Sequence, residues 1–139
     1  VPAQTLTFAL LTAPTNAMLT TLNSSNAVFN WRPSIAQAAS TNTVQVKVSD
    51  SGTPTLSATN TFVITVNPIA SPVLNSITLG STVNLSATGL VGPDYLLFTS
   101  TNLVNWQLLS ATNPATMPVT FTDTNQNSAA QFYRLQLGP

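Results

Sequence analysis

The chain reads as all-β, built as two consecutive β-sandwich modules over residues 1–68 and 74–139 with a linker at 69–73. Two observations predict this. Apolar and polar residues alternate with a period of two along most of the chain. Clusters of Gly, Pro, Asn and Ser interrupt that alternation at short intervals, and no segment carries a convincing helical pattern.

The elements follow in order. Leu6, Phe8 and Leu10 share one face of the first segment, with Thr5 and Thr7 on the other. Met18–Leu22 and Ala27–Trp31 are shorter strands joined through Asn23-Ser24-Ser25-Asn26. Ile35–Ser40 has room for a single helical turn. Val44, Val46 and Val48 alternate with Thr43, Gln45 and Lys47, and Phe62, Ile64 and Val66 alternate with Thr61 and Thr65. Each pattern predicts a strand with its apolar side chains inward. Asn67-Pro68-Ile69-Ala70-Ser71-Pro72 then breaks the alternation, because its two prolines remove backbone donors and favour an extended linker.

Beyond it, strands are expected at Ile77–Leu79, Val83–Ala87, Tyr95–Ser100, Trp106–Leu108, Val119–Phe121 and Tyr133–Leu137. The turns between them fall at Gly80-Ser81, Gly89 to Asp94, Asn113-Pro114 and Thr122 to Ser128. Modules of this size, without disulfides, bury a small fraction of their surface and need support from a neighbour.

Charge is the scarcest commodity. Three Lys or Arg and three Asp make up the whole charged set of the 139 residues, with no His and no Cys. Soluble domains are about a quarter charged, whereas this chain is 4 %. Arg32, Lys47 and Arg134 form no basic cluster, so nucleic acid is not an expected partner. No apolar run reaches the roughly 18 residues of a spanning helix, so no membrane insertion is expected.

No His is present to activate a hydroxyl nucleophile, and ligands for a metal are too few. The expectation is therefore a non-enzyme with no cofactor and no metal. Asp50, Asp94 and Asp123 read as turn acids that accept local backbone N–H bonds. Ser, Thr, Asn and Gln make up roughly two-fifths of the chain, far above the usual share. A neutral surface of this kind does little to keep neighbours apart.

Two stretches carry a resemblance. WRPSIAQAASTNTVQVKVSDSGTP (31–54) followed by LSATNTFVITVNP (56–68), with QTLTFALLTAP (4–14) before them, resembles the later part of a cadherin-like or immunoglobulin-like module of long bacterial surface proteins. That resemblance implies a Greek-key sandwich, used as a spacer or adhesive unit outside the cell. YLLFTSTNLVNWQLL (95–109), FTDTN (121–125) and QFYRLQLGP (131–139) resemble a C-terminal β-module of similar proteins, to which no activity attaches.

Calcium-binding cadherins hold their ions with several carboxylates. Asp50 is the only carboxylate in residues 1–68, so a calcium junction is not expected. Family modules also open with one or two strands before the segment matching Gln4–Phe8. The first module is therefore expected to lack its opening strand and to present a bare edge and an apolar groove, a template for strand complementation.

The functional expectation is a bacterial surface filament or pilus-like fibre whose partner is itself. Thr5, Leu6, Thr7, Phe8 and Leu10 at one end, with Phe132, Tyr133, Leu135 and Leu137 at the other, are the expected assembly residues. The alternative is a glycan-binding adhesin that uses Trp31 and Trp106, or a passive spacer. Against it, each Trp lies on an apolar face and reads first as core filler. The Tyr95 and Tyr133 hydroxyls are expected at the sandwich rim.

Overall fold

A computed structural model of the chain describes residues 4–125 and 130–138. Val1–Ala3, the Gln126–Ser128 part of the expected turn and Pro139 lie outside the described residues. The fold is all-β, with antiparallel sheets only. It divides into two compact units, Val1–Pro68 and Ile69–Pro139.

The first unit holds β1 (Thr7–Thr12), β2 (Met18–Asn23), β3 (Asn26–Asn30), β4 (Thr41–Ser49) and β5 (Ser57–Thr65). One sheet runs β1-β4-β5, and β2-β3 forms a separate ribbon. The register places like against like. Phe8 lies opposite Val48, Leu10 opposite Val46, Val44 opposite Phe62, and Leu19 opposite Phe29. The inward faces are therefore those the period of two assigns.

The expected helical turn is a single 3₁₀ turn at Ile35–Gln37, closed by Ser34 and Gln37 in a reciprocal capping box. The strand expected at Thr61–Val66 starts earlier, at Ser57. Asp50 ties the preceding turn, accepting from the N–H groups of Gly52 and Leu56 at 3.0 and 2.9 Å, and so lets the β4–β5 ladder zip from Ser49–Ser57 onward.

The second unit holds β6 (Val73–Leu79), β7 (Val83–Thr88), β8 (Asp94–Ser100), β9 (Gln107–Thr112), β10 (Val119–Asp123) and β11 (Phe132–Gly138). Its sheets run β10-β7-β6 and β11-β8-β9. Val83, Leu85 and Ala87 of β7, Tyr95 and Leu97 of β8 and Phe121 of β10 form its buried core, with Tyr133, Leu135 and Leu137 of β11 packed against it. Three strands supply each side, so the inward faces meet and exclude water.

Tyr95 departs from the expectation of a rim position. Its whole side chain is buried and its hydroxyl donates to the Leu90 carbonyl at 2.8 Å, so the phenol satisfies its polar tip inside the unit. Gly89 makes room for it, since a Cβ there would run into that hydroxyl.

Leu97→Ala is expected to lower the stability of the second unit by about 2–5 kcal/mol. Val63→Ala, on the exposed outward face of β5, should stay within about 0.5 kcal/mol of the parent. Gly89→Ala should behave like a core substitution by dislodging Tyr95. Urea denaturation followed by circular dichroism reads all three.

Candidate assembly interface

In the first unit a three-stranded sheet is faced by a two-stranded ribbon. Val44 on the middle strand is fully buried, and Val46 and Val48 are half-buried. On β5 the inward-facing Ala58, Asn60 and Phe62 all remain exposed. Phe62 is 36 % exposed although it points to the same side as buried Val44. The ribbon stops short of β5, and one edge-on contact bridges the gap: the rings of Phe29 and Phe62 lie 5.8 Å apart at 90°.

What remains is an apolar groove of about 350 Å³. Phe8, Leu19, Phe29, Val46, Val48 and Phe62 supply its largest walls, with Ala58 and Asn60 beside them. β3 pairs with β2 alone and β5 with β4 alone, so each presents an unpaired backbone edge among the described residues. An open edge beside uncovered apolar side chains can accept an added strand, by backbone hydrogen bonds and alternate-side-chain packing.

The N-terminal residues are tied to this unit. The Leu6 N–H donates to the Ser24 carbonyl at 3.0 Å, at the β2–β3 turn, and the Thr5 N–H donates to Ser51 Oγ at 3.0 Å. Of the predicted assembly residues here, Phe8 lines the groove, Leu6 lines a second depression with Val48 and Leu56, and Leu10 pairs with Val46. Thr7 pairs with Ser49 on the ladder of β1 and β4.

At the other end, Tyr133, Leu135 and Leu137 pack against the core of their own unit, while Phe132 is partly exposed on the opposite face. Phe29, Ala58 and Phe62 escaped the sequence reading as site residues. Alternation told that Phe62 points inward; it carried no information on whether a strand covers it.

Both tryptophans depart from the core assignment, and both are half-buried. Trp31 follows the last residue of β3 and donates its indole N–H to the Thr15 carbonyl at 3.1 Å. It shares a depression of about 350 Å³ with Asn16, Met18, Asn30 and Arg32. Trp106 donates to the Leu103 carbonyl at 3.1 Å, in a turn that Asn102 Oδ1 holds by accepting from the N–H groups of Val104 and Asn105.

The Arg134 guanidinium lies 4.6 Å from the Trp106 ring and 5.1 Å from that of Phe98, its cross-strand neighbour. This outward-facing stack contributes about 0.5–1 kcal/mol per ring at an exposed site.

Asp123 is 1 % exposed, and neutral donors meet its carboxylate. The Asn125 N–H donates to Oδ1 at 2.8 Å, and Gln131 Nε2 and the Tyr133 hydroxyl donate to Oδ2 at 2.7 and 2.9 Å. Asp123 caps its local turn as its sequence predicts, and it also ties β10 to β11. Burial, then the neighbouring carboxylate, pushes the Tyr133 hydroxyl up to about 12. Burial also raises Tyr95, against a smaller opposing effect of its bond to Leu90. Among the described residues no three His, Cys, Asp or Glu side chains lie together. No protein-family model, curated protein or solved structure matches the chain.

The tyrosine shifts set an alkaline limit. Tyr95 and Tyr133 are the only tyrosines. Both are held in the neutral form in the fold, so their stabilisation is complete below the ordinary value of 10.0 and is lost as pH rises above it, for Tyr133 through about 12. Absorbance titration of folded protein should show the Tyr133 phenolate step displaced from 10.0 to about 12, with that of Tyr95 also above 10.0. Tyr133→Phe should narrow the alkaline loss and cost about 1–3 kcal/mol at neutral pH, because buried Asp123 loses a donor.

Proposed function

We propose that this chain is a non-enzymatic structural subunit of an extracellular filament or pilus-like fibre at a bacterial cell surface. Copies join through strand edges, by complementation or edge pairing. The observation that carries the reading is the groove over β5, where inward-facing Ala58 and Phe62, with Asn60 between them, lie uncovered beside strand edges that are unpaired among the described residues.

The composition supports the same reading. With a net charge of zero, the surface offers little repulsion between copies. The partner is therefore the chain itself, with no cofactor, no nucleic acid and no membrane insertion in its working cycle. No helix among the described residues is long and apolar enough to cross a membrane. The N-terminal segment around Thr5–Leu10 and the strand around Phe132–Leu137 remain proposed contributors, now through their backbone edges and outward faces.

One observation favours a second reading, a glycan-binding adhesin or spacer. Trp31 stands beside the amides of Asn16 and Asn30 in its depression, a combination of ring face and hydrogen-bonding groups that suits a sugar. Glycan-array binding that disappears in Trp31→Ala while the fold persists would support it.

Assembly is tested by mass photometry and negative-stain imaging across concentration. Oligomers or fibres that grow with concentration are expected, and dispersed monomers at micromolar concentration would overturn the filament. Phe62→Asp, which places a carboxylate in the groove, should raise the critical concentration at least about tenfold, equivalent to about 1.4 kcal/mol per junction.

A further inference from the structure

The inward face of the second unit changes character at one end. Along β8 the inward row runs Tyr95, Leu97, Thr99, and β11 sets Leu137, Leu135 and Tyr133 opposite them. Tyr95 and Leu97 are fully buried in the core. The third place holds a hydroxyl, and its partner on the other side is Gln107 of β9. Polar side chains on the core side of a sheet are the exception and call for a hydrogen-bonding partner.

Thr99 and Gln107 open onto a cavity of about 300 Å³, whose eight lining residues are all Ser, Thr, Asn or Gln. Asn102 and Asn105 come from the turn between β8 and β9, Asn125 follows β10, and Gln131 precedes β11. No charged or apolar side chain lines it. From this lining we infer that the cavity is a binding site for a neutral saccharide, taken as a single sugar unit. It belongs to the second unit, whereas the Trp31 depression belongs to the first, so the inference needs neither the filament nor the Trp31 reading.

The frame of the site is set by its own bonds. Asn102 Oδ1 accepts from Ser100 Oγ at 3.2 Å as well as from the Val104 and Asn105 N–H groups. The Trp106 indole, donating to the Leu103 carbonyl, closes the same turn. Gln131 Nε2 donates to Thr99 Oγ1 at 2.9 Å and to buried Asp123 Oδ2 at 2.7 Å. Both of its N–H groups are thereby used, and its Oε1 is an acceptor with no donor among the described residues. Amides held in this way lose little further freedom when a ligand binds.

The groups left over match hydroxyls. The side-chain amides of Asn105, Gln107 and Asn125 make no hydrogen bond among the described residues. Each offers N–H donors and a carbonyl acceptor side by side, and a hydroxyl both donates and accepts. Neighbouring hydroxyls on a sugar ring can therefore be bridged by one amide. An anion is better served by Arg or Lys, a hard cation by carboxylates and an apolar ligand by apolar walls. The lining supplies none of these.

Saturation-transfer NMR on the full chain tests the site, with the methyl glycosides of glucose, galactose, mannose and N-acetylglucosamine as probes. It observes the sugar, so it reads dispersed and assembled protein alike. At least one glycoside should give a signal that saturates below about 10 mM. The double variant Asn105→Ala, Gln107→Ala removes two exposed amides that have no internal bonds to lose, so its circular dichroism and urea midpoint should match the parent. Its affinity should fall at least about tenfold, while Trp31→Ala should leave the affinity unchanged.

No saturable signal from any of these glycosides up to about 10 mM overturns the site. So does binding that the double variant retains. Binding that Trp31→Ala abolishes also overturns it, by moving saccharide recognition to the first unit. Displacement of the glycoside by inorganic phosphate or by calcium chloride overturns the neutral-ligand assignment. Gln107→Glu is the second probe, since it keeps the size and the acceptor but loses the N–H donors. Its affinity should be several-fold weaker with the fold unchanged, and an unaltered affinity overturns the assignment.

Discussion

Coverage is the constraint on which this structure turns. A strand buries its inward side chains only if another layer lies over it, and in the first unit two strands are set against three. The middle strand β4 is served first, which is why Val44 is fully buried while Phe62, directly opposite it on the ladder, is not. Phe62 and Ala58 on β5, with Asn60 between them, stay in contact with water because no strand lies over them.

The second unit shows what full coverage achieves and where it ends. Three strands over three bury Tyr95, Leu85 and Leu97 completely, and the polar groups caught inside are satisfied. Asp123 survives as a buried carboxylate because three donors converge on it, from the backbone of Asn125, the amide of Gln131 and the phenol of Tyr133. At the sheet margin coverage fails again, at Ile77 and Leu79. Among the described residues each unit therefore has an edge strand with an open backbone side and exposed inward side chains. In a chain with almost no charge, nothing blunts those edges in the way lysine or an inward-pointing charge does elsewhere.

Much of the fold was legible in the residues. Alternation at Val44–Val48, at Val83–Ala87 and at Tyr133–Leu137 located strands, because a period of two survives any tertiary arrangement. The turn at Ser49–Leu56 was legible in Asp50 and Gly52, whose local hydrogen bonds form whatever surrounds them. The tryptophans were not legible. Trp31 and Trp106 sit just outside strands β3 and β9, where the alternation that assigned them to a core no longer applies.

The sequence by itself determined the all-β class, the position of the strands and which side of each faces inward, because these depend on neighbours one to four residues away. It also determined that the surface would be neutral and rich in hydroxyls and amides. Only the tertiary structure decided which inward faces are covered. That depends on how many strands each sheet receives and how far the ribbon β2–β3 reaches across β4 and β5, a long-range pairing with no local signature. Phe62 and Val44 carry the same inward signal in the chain, and a missing layer of polypeptide is the whole difference between them.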